Sequence, residues 1–290
     1  MKFPRRKFLQ LAAGIAAMPA ASRIVRAQAY PSRPVRLVVP FGAGGSLDIL
    51  ARLLGEQLSR NFGQQFIIDN RPGASGNIAA ELVSKADRDG YTLLAVSAAF
   101  AANTTLYTNL RFDPRKDFST IAMLGATQNV LAVNTQFSPR TVADLVALAK
   151  SQPGRIDYAS TGVGTSGHLT MELFKIMASI DLTHVPYRAI SQQITDLVAG
   201  VVPMAMPTIP SVMGHIETGK LRALAVLGTR RSSGLPAVPT VAEAGVPGYD
   251  ASTWYALLGP AGLQSDIVLQ LNAELGRVLA DATLVAKLDR

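Results

Sequence analysis

The alternation of short apolar runs with helix-length segments constrains this chain more than any other feature. Residues 35–40, 65–69 and 92–97 read as strands, and residues 48–61 and 76–85 between them read as helices. Such alternation predicts a mostly parallel sheet with helices on its faces, because parallel neighbours need a crossover long enough to hold a helix. A second series follows. It comprises the apolar run 130–134, helix 141–150, strand 155–159, helix 168–178, strand 182–186, helix 191–199, the run 201–206, helix 210–218 and strand 221–226. Each series is complete enough to make its own sheet. A last helical segment, 265–288, follows Gly259-Pro260-Ala261-Gly262 and is expected to pack back on the first lobe. The chain then crosses between lobes twice, near 125–130 and near 248–257. The predicted fold class is α/β and two-lobed, with lobe 1 formed by residues 30–127 plus 253–290 and lobe 2 by residues 128–252. Two lobes on two extended connections describe a hinge, and closure around a ligand is a common use of one.

The first 29 residues stand apart. They combine a basic head containing Arg5 and Arg6, a mainly apolar run over 8–21, and a small-residue tail ending Ala27-Gln28-Ala29. That is the anatomy of a removable export signal, so a periplasmic location is expected, with cleavage fitting either Ala27 or Ala29. A membrane anchor is the competing reading, but the run is shorter than the roughly 20 residues that span a bilayer, and Pro19 and Ser22 interrupt it. Arg5-Arg6 before Lys7, Phe8, Leu9 and Gln10 also resembles a twin-arginine signal, although an ordinary basic head has the same residues. The segment holds Lys2, Arg5, Arg6, Lys7, Arg23 and Arg26 and no acid. Its removal takes the basic residues from 28 to 22 against 20 acidic ones, and the formal net charge from +8 to +2. A nucleic-acid partner is not expected, because the remainder has no basic cluster larger than Arg230-Arg231. Cysteine is absent, which excludes disulfides, thiolate metal sites and cysteine nucleophiles.

Two glycine-rich turns carry the chemistry. The first, Pro40-Phe41-Gly42-Ala43-Gly44-Gly45-Ser46-Leu47-Asp48, lies between a strand and an amphipathic helix. Such a turn exposes unpaired backbone N–H groups at the positive end of a helix, so it binds an anion without a cationic side chain. Glycine lets the backbone approach that anion closely. A plain tight turn capped by Ser46 or Asp48 fits the same residues. The second turn, Ser160-Thr161-Gly162-Val163-Gly164-Thr165-Ser166-Gly167-His168, again joins a strand to a helix. Gly162, Gly164 and Gly167 satisfy a GxGxxG spacing, but Asp181 precedes the next strand, whereas the ribose-binding acid of a dinucleotide site closes it. Thr161, Thr165 and Ser166 instead crowd hydroxyl donors around the turn, which suits a carboxylate. One turn per lobe, each at the carboxyl end of a strand, would grip one anionic group from two sides.

Ser166 beside His168 raises a hydrolase reading. The nucleophile elbow needs glycine where His168 stands, and a serine and histidine two residues apart form no relay by that spacing. Only His168, His184 and His215 exist, and no helical HxxxH or comparable metal-ligand cluster is present. Neither a metal nor a cofactor is expected.

Across essentially the whole chain after residue 29, the sequence resembles the extracytoplasmic substrate-binding proteins of tripartite tricarboxylate transporters, the Bug-type receptors. The resemblance rests on Tyr30-Pro31-Ser32-Arg33-Pro34-Val35, Pro40-Phe41 with Gly44-Gly45 and Asp48, and Asn70-Arg71-Pro72-Gly73-Ala74-Ser75-Gly76-Asn77. It continues in Asp89-Gly90-Tyr91-Thr92-Leu93, the segment 162–169, Val185-Pro186-Tyr187, Asp196-Leu197-Val198-Ala199-Gly200, Pro239-Thr240-Val241-Ala242-Glu243-Ala244-Gly245 and Gly259-Pro260-Ala261-Gly262. The resemblance implies a type II periplasmic binding protein, or Venus flytrap, in which the two turns and ordered water hold one ligand carboxylate. Carried over by position, the first clamp is Phe41, Gly42, Ala43, Gly44 and Gly45. The second is Thr161, Gly164, Thr165 and Ser166, with His168 starting the supporting helix. Gly42-Ala43 replaces the proline-rich start of the family's first turn, and Arg188-Ala189-Ile190-Ser191 replaces a more glycine-rich turn. Ser97, Ala189, Ser191 and Thr208, at or just past strand ends, are the candidates for ligand selectivity; each is equally a surface or core-lining position.

The function expected is capture of a small organic acid outside the cytoplasmic membrane, and delivery to the membrane components of a tripartite tricarboxylate-type transporter, by a monomer that is not an enzyme. A sensing receptor for a membrane signalling partner, and a secreted serine hydrolase using Ser166, are the alternatives.

Overall fold

The computed structural model describes residues 30–284; the expected export signal and residues 285–290 lie outside them. Contacts divide the chain into Met1–Ser32 and Arg33–Arg290. In the first unit only residues 30–32 are described, and everything below concerns the second.

The first sheet begins with β1 (Val35–Val39), whose VRLVV is apolar and buried at every position but Arg36, as a strand largely covered by helices requires. Next come α1 (Ser46–Phe62), β2 (Phe66–Asn70), α2 (Asn77–Ser84), β3 (Thr92–Ser97) and α3 (Ala99–Leu106). In α1, Leu47, Leu50, Ala51, Leu54 and Leu58 recur at helical spacing and are all buried, which presses one face of the helix onto the sheet. The strand β4 (Phe118–Gln128) then leads directly into β5 (Val130–Asn134) of the second sheet. There follow α4 (Val142–Ser151), β6 (Asp157–Ser160), α5 (Ser166–Ala178), β7 (Thr183–Pro186), α6 (Ile190–Ala199), β8 (Met204–Ala205), α7 (Ile209–Glu217) and β9 (Leu221–Val226). The return strand β10 (Ser252–Pro260) and α8 (Ser265–Leu279) complete the order.

The sheets have orders β2-β1-β3-β10-β4 and β7-β6-β8-β5-β9, and they repeat one plan. In the first, β1 lies parallel to β2 on one side and β3 on the other. In the second, β6 lies parallel to β7 and β8 in the same way. Each sheet therefore has a point where successive crossovers leave in opposite directions, and a crevice opens there at the strand carboxyl ends. The antiparallel pairings lie toward the other edge: β10 runs against β3 and β4, and β5 against β8 and β9.

Three features differ in detail from the expected elements. The two extended crossings pair with each other: β4 and β10 run antiparallel from Ser252↔Gln128 to Pro260↔Phe118, with register shifts after Tyr255 and Leu257. The run 201–206 shrinks to two strand residues because Pro203 and Pro207 flank it and lack the amide a ladder needs; their carbonyls accept Asn134 N–H and Val130 N–H instead. The helix 99–106 follows a strand with no polar spacer, and no turn signal marked its start. The expected segment 265–288 breaks: α8 ends at Leu279 and helix resumes at residues 282–284; α8 lies against β4 and α1 of the first sheet, where Asn272 Nδ2 donates to Ile121 O at 2.6 Å.

Candidate ligand-binding cleft

A cavity of about 650 Å³ lies where the two crevices face each other, within the size range of small-molecule sites. The turn after β1 forms one wall. Its anchor is Asp48, only 2 % exposed, whose Oδ2 accepts Gly44 N–H and Arg52 Nε–H, both at 2.9 Å, and whose Oδ1 accepts Asn70 Nδ2–H at 2.9 Å. Burial pushes this carboxyl up, but the bonds from Arg52, the Gly44 amide and Asn70 outweigh burial and hold it below the ordinary carboxylate range. Asn70 also donates to Phe41 O at 2.9 Å, so one side chain ties both ends of the turn. Gly44 adopts φ 86°, a left-handed value that favours glycine. The amides of Gly42, Ala43, Gly45, Ser46 and Leu47 have no protein acceptor among the described residues, as expected for the start of α1.

The turn after β6 forms the opposite wall. Ser160 Oγ accepts Gly162 N–H at 3.1 Å and lies 3.1 Å from Gly162 O, and Thr165 Oγ1 donates to Gly162 O at 2.7 Å. Behind it sits a network of rings and charges. His168 Nδ1 accepts Gly164 N–H at 3.3 Å, His184 Nε2 lies 2.6 Å from Ser160 Oγ, and the two imidazole centroids are 4.6 Å apart. Tyr158 OH donates to Glu172 at 2.6 Å, as does Lys175 at 2.9 Å. Burial depresses His168, and burial with the neighbouring His168 brings His184 down to about 4. Both imidazoles are therefore neutral near pH 7 and support the turn rather than carry charge.

The lobes touch across the cleft. Ser46 Oγ hydrogen-bonds Thr208 Oγ1, and Ser75 Oγ donates to Val163 O. Gly164 faces α3 so closely that a Cβ there would lie 2.8 Å from Leu106 Cδ1 and 3.2 Å from Asn103 Oδ1. Ser75 and Ala74 carry left-handed φ values of 53° and 46°, unfavourable for residues with a Cβ. The Asn103 side-chain amide holds them by donating to Ser75 O at 3.0 Å.

Of the residues expected at the site, Phe41, Gly42, Gly45, Ser97, Thr161, Thr165, Ser166 and Thr208 line this cavity. Ala43, Gly44, Gly164, His168, Ala189 and Ser191 do not. Gly44 turns its amide to Asp48, Gly164 packs on α3, His168 sits behind its turn, Ala189 caps α6, and Ser191 faces solvent on that helix. The hydroxyls of Ser97, Thr161 and Ser166 bond no group among the described residues, so they are available to a ligand. Ser166 Oγ in particular contacts no histidine.

Residues missed by sequence reasoning complete the wall: the loop 72–76, Ser46, Tyr107, Asn129, Arg188, Gln193 and Tyr255. Asn129 is fully buried between β4 and β5; its Nδ2 donates to Met206 O at 2.6 Å, while its buried Oδ1 has no hydrogen-bond partner among the described residues. Burial pushes the Tyr255 phenol up, against a bond with Ser46, so it remains a neutral hydroxyl. Motif 70–77 was visible in the sequence, but nothing in it announced that two alanine-sized residues would adopt left-handed backbone and reach across the cleft.

Two α/β lobes of this repeated topology, joined by a strand pair and enclosing a cleft between their switch points, define a type II solute-binding protein with the Venus-flytrap fold. Comparison with known proteins gives the same class. A family model described as the tripartite tricarboxylate transporter family receptor matches residues 50–289. BugT of Bordetella pertussis is 36 % identical over 263 residues, covering 90 % of this chain and 81 % of its own. R. palustris Rpa4515, solved with adipate, superposes with TM-score 0.87 at 38 % identity, covering 90 % of this chain and 87 % of that one. MatC (Rpa3494) from Rhodopseudomonas palustris, with bound malate, gives 0.84 at 31 % identity and 90 % coverage of both chains. The chain belongs to the tripartite tricarboxylate transporter receptor family.

Proposed function

We propose that this protein binds a small organic carboxylate in the periplasm and delivers it to the membrane components of a tripartite tricarboxylate-type transporter. It works as a monomer, without a cofactor and without catalysis. The observation that carries the reading is the pair of facing turns. The unpaired amides of Gly42, Gly45, Ser46 and Leu47 and the free hydroxyls of Thr161 and Ser166 belong to residues on opposite walls, and the single acid on the wall, Asp48, is already fully engaged by protein donors. Donors without a competing carboxylate favour an anionic ligand group. The carboxylates solved in Rpa4515 and MatC agree with that chemistry. Residues 1–29 would serve as the export signal, and residues 30–127 with 253–290, and 128–252, as the two jaws. Binding energy realised only when both turns engage shifts the population toward the shut form.

Ligand that binds only the folded state raises the melting temperature, so thermal shift against organic acids and their amides tests the proposal. A rise with an acid and none with its amide is expected. An equal rise with both would remove the carboxylate clamp. Conversion of any acid ester or amide by the protein, abolished in Ser166→Ala, would establish the hydrolase instead.

A further inference from the structure

A second cavity, of about 590 Å³ and also within the size range of small-molecule sites, shares a wall with the cleft. Asn129 and Thr208, joined by a β-bridge, line the cleft, whereas their neighbours Gln128 and Ile209 line the second cavity. Three chain segments are knitted together at its base. Leu227 N–H donates to Asn129 O at 3.0 Å, Ala251 N–H donates to Leu227 O at 2.8 Å, and Ser252 at the start of β10 pairs with Gln128 at the end of β4. Gln128 Nε2 donates to Arg230 O at 3.1 Å, and Gly228 leaves room for that amide, because a Cβ there would lie 2.8 Å from the nitrogen. The loop after β9, which holds the basic pair Arg230-Arg231, is thereby tied to both crossing strands.

The lining differs from that of the cleft. Ile209, Pro210 and Met213 from α7 supply an apolar face, and Thr229, Ser232 and Ser233 supply hydroxyls that bond no described residue. Three charged side chains complete it. Arg231 is engaged, its Nε–H donating to Glu243 Oε2 at 2.9 Å. Arg230 and Asp250 are not: neither side chain makes an ion pair or hydrogen bond with a described residue, so they do not pair with each other. An anion alone would meet Asp250 here, and a cation alone would meet Arg230. A ligand carrying both charges on an apolar body meets neither penalty. We propose that this cavity is a second ligand site, for an apolar α-amino acid in its zwitterionic form. The carboxylate meets the Arg230 guanidinium, the ammonium meets Asp250, and the side chain lies on the α7 face. The site is separate from the carboxylate clamp and does not depend on it.

Two-dimensional amide NMR tests this. L-Leucine is titrated into the isotopically labelled protein, with glycine, 4-methylpentanoate and leucinamide as probes lacking in turn the apolar side chain, the ammonium and the carboxylate. Leucine is expected to move amides of residues 126–128 and 228–234 saturably, with a Kd on the order of 1 mM. Each incomplete probe should bind there about fivefold more weakly or worse. Asp250→Asn should erase the preference for leucine over 4-methylpentanoate, and Arg230→Gln the preference for leucine over leucinamide. Both variants should melt with the wild type in the absence of ligand, since neither side chain has a protein partner to lose. No saturable shift at those amides up to about 50 mM leucine would overturn the proposal. So would shifts confined to the two turns of the cleft, or preferences that survive both substitutions. None of these results would bear on the carboxylate clamp.

Discussion

Asp48 shows how a buried charge shapes a turn of the cleft wall. Three donors converge on it from the turn, the helix and the neighbouring strand. Replacing it with Asn keeps the shape but turns one acceptor oxygen into a donor facing Gly44 N–H or Asn70. Asp48→Asn is predicted to lose about 1–3 kcal/mol of stability in denaturant unfolding, and to weaken acid binding because Gly44 no longer holds its place. Unchanged stability would mean that Gly44 and Arg52 find other acceptors. The histidine pair behind the second turn gives a pH prediction. Both folded-state values lie below the ordinary histidine value, His184 at about 4, so the unfolded chain binds protons first as pH falls. Their contribution is complete above about pH 6.5 and is lost toward pH 4. The melting temperature should therefore drop across that interval, and His184→Gln should flatten the slope; an identical slope in the variant would assign it to other groups. Protonation of His168 on Nδ1 also ends its bond from Gly164 N–H, so acid affinity is expected to fall over the lower part of the same range.

At the scale of elements, the second turn must meet α3. Gly164 is in a left-handed conformation with φ 84°, and its missing Cβ makes room for Leu106. Gly164→Val should hold the lobes apart and cost roughly tenfold or more in affinity, and the left-handed backbone should add about 1–2 kcal/mol of strain that lowers the melting temperature, while each sheet retains its own core. Wild-type affinity in that variant would show that the lobes do not need this contact. Much of the architecture was legible in the sequence because period and length speak clearly for strands such as β1, β3, β5 and β9 and for helices such as α1 and α5. The place of both glycine turns was legible for the same reason: each lies between a strand and a helix, at the carboxyl end of the strand. What stayed hidden were features that depend on partners distant in sequence. The strand β10 pairs with β4 more than a hundred residues earlier, and its Gly259-Pro260 end reads as a loop until that partner is known. Likewise, the reach of Ser75 across the cleft and the place of Arg188 on its wall follow from lobe packing, which no local pattern encodes.

At the scale of the molecule, function follows from repeating one βαβ plan twice and facing the two switch points. Each crevice alone offers a few amides at one helix start, which is weak binding in water. In the proposed function the two together would surround an anion, exclude solvent and strengthen every hydrogen bond made to it. The antiparallel pair β4–β10 passes between the lobes beside the cleft, and Asn129, immediately after β4, is among the residues that line the cavity. The cavity wall is thus drawn from both lobes and from the connection between them. The most direct test is a crystal structure of the protein with the acid that raises its melting temperature most. The account predicts one carboxylate of that acid within about 2.7–3.2 Å of amides or hydroxyls from both turns, residues 42–47 on one side and 161–166 on the other. A carboxylate bound by one turn alone, or an acid seated elsewhere in the molecule, would contradict it.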